Sequence, residues 1–273
     1  MKKTERYFLN GIIRALRPRK LLEAGIAAGG GSAIILNAIS DIDGAELYSV
    51  DYLEESITST EKHSGFLVEE KFPEFLDKWH VFRGGDVSHF IEEIGGDIDL
   101  FMLDTVHTHP WETLNFLCVL PFMKDDSWVV LHDISLFAQE RYRYNLACRY
   151  LFSSVVSEDK VVPAPDAEDK ILPNIGAFRV SELTRRFAGN LFEALVIPWN
   201  MQLLEKDLAD ISKVIERHYP AEQYEFFCRI LEFQHYLFTH PQSMKSALYG
   251  SVKQRLSPKT FSFLNRIRRK LKL

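Results

Sequence analysis

Four glycines within seven residues constrain this chain more than any other feature. In residues 20–32 (KLLEAGIAAGGGS), Leu21 and Leu22 lead through Glu23 to Gly25, the triplet Gly29, Gly30, Gly31 follows, and Ser32 opens the apolar run AIILNAI. That order spells a buried strand, a tight turn and a helix start. Glycine is required where backbone takes positive φ or approaches a ligand with no Cβ in the way. A helix N-terminus aimed into such a turn offers free N–H groups to a polar or anionic ligand. A P-loop is excluded, because no Lys-Ser or Lys-Thr follows the glycines. The dinucleotide fingerprint is excluded too, because Ile26 and Ala27 follow Gly25 where a second glycine would stand.

The rest of the chain up to residue 181 repeats the strand–helix grammar. An amphipathic helix over residues 4–17 carries Phe8, Ile12, Ile13 and Leu16 and stops at Pro18. After the glycine turn come a helix over 32–40, a strand ELYSVD ending in Asp51, a helix over 65–78 and a strand WHVFRG followed by Gly85 and Asp86. Asp86 also suits the N-cap of a helix over 87–95. DIDLFMLD is a continuous apolar run of the kind central parallel strands show. It ends at Asp104, and TVHTHPWE leads into a helix over 110–122. SWVVLHD ends a fifth strand in His132 and Asp133, a helix over 138–153 follows, and KVVPA and NIGAFRV close the series without a full helix between them. Five strands alternating with helices and then two without predict a doubly wound, mostly parallel seven-stranded sheet finishing in an antiparallel hairpin.

Ligands of such sheets sit beyond the carboxyl ends of the strands. Those ends carry Glu23, Asp51, Asp86, Asp104, His107, His109, His132 and Asp133. Asp51, roughly twenty residues past the glycine turn, stands where nucleoside-binding α/β folds place a carboxylate for the ribose hydroxyls. His107 is suited to take a proton near neutral pH, and Asp104 with Asp133 would suit Mg²⁺, a hard cation.

E-x-G-x-x-x-G-G-S resembles motif I of the class I S-adenosylmethionine-dependent methyltransferases, and the resemblance runs over roughly residues 18–181. It implies a Rossmann-like methyltransferase fold over 1–181 with a helical C-terminal extension over 182–273. It also implies a methyl donor, S-adenosylmethionine, held by Glu23, Gly25, Gly29, Gly30, Ser32, Asp51, Tyr52, Gly85, Asp86 and Asp104, with Asp86 on the adenine amino group. LDTVHTHPWE and VVLHD look like the corresponding motifs of metal-assisted small-molecule O-methyltransferases, and of the sugar, macrolide and cephalosporin-hydroxylase-like branch. In catechol-type enzymes an Asp, a basic residue three positions on and a later Asp do the chemistry, and Asp104, His107 and Asp133 fall at those spacings. The base would be His107 in place of lysine, with His132 as runner-up. The metal-ligating Asn after the second Asp is here Ile134. The implied activity is methylation of an oxygen of a small acceptor, such as a sugar or glycan precursor. A hydroxylase-like reaction and a non-catalytic nucleoside-binding protein are the alternatives on the same fold.

Charge narrows the partners. The chain carries 33 basic and 38 acidic residues, and the nine basic residues beyond Glu232, the last acid, leave a body of net −14. An acidic body without an Asn-Pro-Pro-aromatic motif argues against nucleic acid. The basic amphipathic segment over 258–272 is of a kind that can lie on an anionic membrane surface. Three scattered cysteines and no apolar run near the ~20 residues of a membrane span point to a cytoplasmic protein. The apolar helical patterns over 201–217 and 221–238 predict packing on the sheet domain or on a second subunit of a homo-oligomer.

Overall fold

The structure, a computed structural model, describes residues 1–165 and 172–240. Two compact units meet between Ile230 and Leu231, and the description below concerns the first, Met1–Ile230. The basic segment over 258–272 lies outside the described residues.

Helix α1 (Lys3–Leu16) buries Glu5, Leu9 and Ile13 on one face and ends where Arg17 turns left-handed and gives its N–H to Ile13 O at 2.8 Å. Strand β1 (Lys20–Ala24) then enters the glycine turn, and α2 (Gly30–Ile39) leaves it. Next come β2 (Glu46–Asp51), a two-stranded hairpin of β3 (Glu55–Ser56) and β4 (Ser59–His63), α3 (Phe66–Lys71) and β5 (Trp79–Arg83). The chain continues through α4 (Val87–Ile94), β6 (Ile98–Leu103), α5 (Trp111–Val119), β7 (Met123–His132), α6 (Ala147–Ser154), β8 (Lys160–Val161) and β9 (Ile175–Arg179). The extension forms α7 (Glu182–Arg186), α8 (Gly189–Ala194), α9 (Glu205–His218) and α10 (Ala221–Thr239).

The expected seven-stranded sheet is present, in the order β5-β2-β1-β6-β7-β9-β8. Strands β5, β2, β1, β6 and β7 pair in parallel, while β9 runs antiparallel to both β7 and β8. Chain order reverses at β1 and β6, and such a switch point opens a crevice beyond the strand ends. Strand alternation divides β6 between two layers: Leu100 and Met102 join Leu9, Ile13, Ile35 and Ile39 of α1 and α2 in one core cluster, leaving Phe101 and Leu103 for the opposite face. Each such fully buried side chain contributes about 1.5–3 kcal/mol.

Three helices are shorter than their apolar patterns predict. Pro73 ends the helix expected over 65–78, and residues Pro73–Lys78 continue as a 3-10 turn. Leu120–Phe122, with Pro121, does the same to the helix expected over 110–122. Of the helix expected over 138–153, only Ala147–Ser154 is α-helical. Residues 139–144 are mostly exposed and offer no apolar stripe to bury. The β3–β4 hairpin is not foreshadowed, because its polar sequence shows no two-residue alternation.

Candidate functional site

The glycine turn is built around two positions. Gly25, at φ 94°, passes so close to the end of β6 that a Cβ there would stand 1.9 Å from Asp104 O. Gly29, at φ 98°, caps α2, and a Cβ on it would meet the backbone of Gly65 at 3.1 Å. Asp51 fastens the turn from the neighbouring strand: its Oδ2 accepts from Ile26 N at 2.9 Å and Ala27 N at 2.8 Å, and its Oδ1 from Leu53 N at 2.9 Å. Three of the carboxylate's acceptor positions are therefore spent on shaping the loop.

Beyond these strand ends lies a cavity of about 380 Å³. Gly25, Asp51, Tyr52, Asp86 and Asp104 are on its walls, together with Thr105 and Asn115, within a lining that is mostly apolar and includes Ala24, Val50, Leu53, Val87 and Trp111. Asp86 caps α4 through Oδ1, which accepts from Ser88 N at 3.1 Å and Ser88 Oγ at 2.6 Å. Burial, opposed by the Ser88 hydrogen bonds and reinforced by the nearby Asp207 carboxylate, pushes its carboxyl up to about 6. Its Oδ2 is buried without a hydrogen-bond partner.

Glu23, Gly29, Gly30, Ser32 and Gly85 are not on the cavity wall. Glu23 is 2 % exposed and accepts from Ser32 Oγ at 2.6 Å and Ser49 Oγ at 2.7 Å, while Trp79 Nε1 donates to Ser49 Oγ at 2.9 Å. Burial pushes Glu23 up to about 7, the two hydroxyls opposing and the Asp104 and Asp51 carboxylates reinforcing the rise.

The extension closes the cavity from the other side. Met201, Gln202, Leu203, Leu204 and Asp207 line it. Tyr52 donates its hydroxyl to Asp207 Oδ2 at 3.0 Å, and the Lys206 ammonium lies 5.5 Å from the Tyr52 ring centre. His109, fully buried, joins the loop after β6 to this strap: its Nε2 lies 3.2 Å from Ile197 O, and its carbonyl accepts from Asn200 N at 3.0 Å. Burial lowers its pKa to about 4, so His109 is a neutral structural imidazole.

Asp104 also borders a cluster of titratable groups. His107, His132 and Asp133 converge on it, at the ends of the adjacent strands β6 and β7. His132 Nδ1 lies 3.2 Å from Asp104 Oδ1 and 3.3 Å from Asp133 Oδ2, and its Nε2 lies 3.1 Å from Glu5 Oε2. Burial opposes a charge on His132, but Asp104, Asp133 and Glu5 outweigh it and push the pKa up to about 12. His132 is therefore an imidazolium with no capacity as a base at neutral pH.

His107 Nε2 lies 2.9 Å from Asp133 Oδ2 and 3.7 Å from Asp104 Oδ1, and its Nδ1 lies 3.7 Å from both Glu112 Oε1 and Cys148 Sγ. Its pKa is raised, since burial is overcome by Asp133, Asp104 and Glu112. Asp133 is lowered, its burial outweighed by the two imidazoles. Both His107, at φ 57°, and Asp133, at φ 58°, hold left-handed backbone, a strain that surrounding structure must impose. For His107 the restraint is Glu112, whose Oε1 accepts from His107 N and Thr105 Oγ1. For Asp133 it is Asn174, which donates to Asp133 Oδ1 and accepts from Ser135 N. Ile134, where the resemblance puts a metal-ligating Asn, is buried.

The donor set of Asp104, His107 and Asp133 brings one ligand atom each within 4.8 Å of one another. Two carboxylates and an imidazole fit a divalent cation, and the imidazole favours a transition ion over Mg²⁺.

Sequence reasoning missed Glu5, Glu112 and Asn174, which fasten the cluster, and Asn115, which lines the cavity. A signal for Glu5 exists: it shares the i, i+4, i+8 stripe of Leu9 and Ile13, so the stripe puts an acid on a buried face.

Residues 22–134 match a family model described as a methyltransferase domain. The sheet has the Rossmann-like fold of class I methyltransferases. Among solved structures, this domain is similar to the O-methyltransferase TomG from Streptomyces achromogenes, which is involved in tomaymycin synthesis and was solved in complex with S-adenosylmethionine. That likeness has 13 % identity over 66 % of this chain and 81 % of TomG, with a TM-score of 0.51. A proposed O-methyltransferase from Klebsiella pneumoniae is similar at 12 % identity over 66 % of this chain and 81 % of that one, with a TM-score of 0.50. No curated protein matches in sequence. The sheet's switch-point crevice and the observed cavity are the same place. Among the described residues, no helix is long and apolar enough to cross a membrane.

Proposed function

We propose that the chain is an S-adenosylmethionine-dependent methyltransferase that methylates an oxygen of a small molecule, such as a sugar or glycan precursor. The observation that carries this reading is the cavity itself. It lies at the sheet's switch point, has about the volume of a small-ligand site, and combines Gly25, Asp51, Tyr52, Asp86 and Asp104 on largely apolar walls. The residues fit the donor: Asp86 Oδ2 is a buried acceptor lacking a donor, and the apolar walls suit a purine. On this reading residues 1–181 are the donor-binding domain, and the extension over 182–273 completes the pocket through its Met201–Asp207 strap.

Transfer from a sulfonium is an in-line displacement, so the acceptor oxygen must be close, aligned and free of its proton. Asp104 lies both on the cavity wall and in the cluster, which supports the acceptor's side of the reaction lying there. His107 takes the hydroxyl proton, and Asp133 beside its Nε2 stabilises the imidazolium that forms. His132 carries a fixed positive charge between Asp104, Asp133 and Glu5, and holds α1 to the end of β7. Alternatively, Asp104, His107 and Asp133 would hold a divalent cation, in which case His107 would be a ligand in place of the base and the ion would supply Lewis acidity to the acceptor oxygen.

The test is turnover on sugar and phenolic acceptors, read as gain of a methyl mass. His107→Ala is expected to lower kcat at least 100-fold while leaving donor affinity unchanged. Wild-type turnover in His107→Ala would remove the base assignment. Turnover abolished by chelator and restored by a divalent ion would assign proton removal to the ion instead. Gain of an oxygen mass would replace methylation by the hydroxylase-like reaction.

A further inference from the structure

The two ring nitrogens of His107 meet different groups. Nε2 lies beside Asp133, whereas Nδ1 lies 3.7 Å from Glu112 Oε1 and 3.7 Å from Cys148 Sγ. Three separate segments bring these residues together: the loop after β6, the first turn of α5 and the first turn of α6. One ligand atom from each of the three lies within 4.8 Å of the others. Glu112 and Cys148 are 0 % and 1 % exposed.

The nitrogen–oxygen spacing is too long for an N–H···O bond, which needs about 2.7–3.2 Å. It suits two ligands of one ion. Zinc bonds of about 2.3 Å to sulfur and about 2.0–2.2 Å to nitrogen or oxygen set tetrahedral ligand atoms roughly 3.3–3.6 Å apart. The other nitrogen agrees: a metal-bound histidine commonly donates its second N–H to a carboxylate, which fixes its tautomer. His107 Nε2 has such a partner in Asp133 Oδ2, at 2.9 Å. Glu112 adds a buried carboxylate short of partners. Burial pushes its pKa up, and its Oε2 has no hydrogen bond. Buried charges of this kind are kept by pairing or by coordinating a metal.

We infer that His107 Nδ1, Glu112 and Cys148 form a site for a thiophilic transition ion such as Zn²⁺, distinct from the strand-end carboxylates Asp104 and Asp133. The sulfur ligand selects against Mg²⁺. Binding exchanges the Cys148 thiol proton for the ion, and any proton on Glu112 or on Nδ1 leaves with it, so affinity rises with pH. The site stands without the methyl-donor reading and bears on it in one way. An ion on Nδ1, with the Nε2 proton held on Asp133, leaves His107 no lone pair for a substrate proton. Occupied, the site switches the proposed base off.

The experiment is titration of the full chain, first cleared of metal by chelator, with Co²⁺ alone and with Zn²⁺ alone. Co²⁺ is expected to raise a sulfur-to-cobalt charge-transfer band in the near ultraviolet that saturates at one ion per chain. X-ray absorption of the zinc-loaded chain is expected to show one sulfur at about 2.3 Å and nitrogen or oxygen at about 2.0–2.2 Å. Cys148→Ser, shown by thermal unfolding to be folded, is expected to lose the band and at least 100-fold in Zn²⁺ affinity. Glu112→Gln, of the same shape, is a second variant and is expected to lose at least 10-fold. An ion bound through nitrogen and oxygen alone overturns the site and assigns the ion to Asp104, His107 and Asp133. A band that survives in folded Cys148→Ser, unchanged affinity in Glu112→Gln, or no binding at about millimolar metal overturns it as well.

Discussion

Gly25 ties the site to the fold at a single residue. Its φ of 94° and the 1.9 Å approach to Asp104 O mean that Gly25→Ala adds a backbone strain of about 1–3 kcal/mol to a clash with main chain that no rotamer relieves. The expected outcome is a fall of several degrees in Tm together with loss of donor binding, read by thermal unfolding and calorimetry. Glu23 offers a prediction in pH. Folded, it keeps its proton up to about pH 7, against an ordinary 4.5 when exposed. Between those values folding takes up a proton, so this group's contribution to stability falls as pH rises and then levels off above about pH 7. Glu23→Gln removes that dependence: relative to wild type it gains up to about 3 kcal/mol between pH 5 and pH 8. Denaturant titrations at the two pH values check this, and a constant difference would contradict it. At this scale the acids that end strands, Asp51, Asp86 and Asp104, were legible, because a polar residue closing an apolar run marks its own position. Asn115 was not, because it sits inside a helix whose every residue is buried, where periodicity has no face to show.

Element order was the most legible property, since each strand of the sheet is an apolar run bounded by turn residues. Helix ends were less so. Prolines at 73 and 121 cut two helices short, and the polar stretch over 139–144 unwound a third. The extension shows the limit more sharply. Its helices were readable from apolar spacing, yet nothing in MQLLEKD announces that residues 201–204 and Asp207 wall a cavity formed by strands some 150 residues earlier. The strap predicts its own test. Asp207→Ala removes the partner of the Tyr52 hydroxyl, at a cost of about 1 kcal/mol, and so weakens donor binding about fivefold with the fold intact. Calorimetry beside thermal unfolding separates the two effects. Unchanged donor affinity would reduce the strap to a passive cover.

For the whole molecule, the parallel sheet gathers at its switch point a pocket and, one residue away, a proton-bearing cluster. Asp104 belongs to both. On the proposed reading, the donor meets walls that carry acceptors, and the methyl acceptor meets imidazoles and carboxylates fastened by Glu5, Glu112 and Asn174. These clusters depend on contacts between residues far apart in sequence, which no local pattern encodes; Glu5 and His132 are 127 positions apart. The central claim is that the pocket takes S-adenosylmethionine. Its most direct test is calorimetric titration of the full chain with S-adenosylmethionine, repeated with chelator. The account predicts saturable binding of one donor per chain, with Kd on the order of micromolar and independent of chelator, since the pocket's acceptors do not rely on an ion. Absence of binding at about millimolar donor would contradict it.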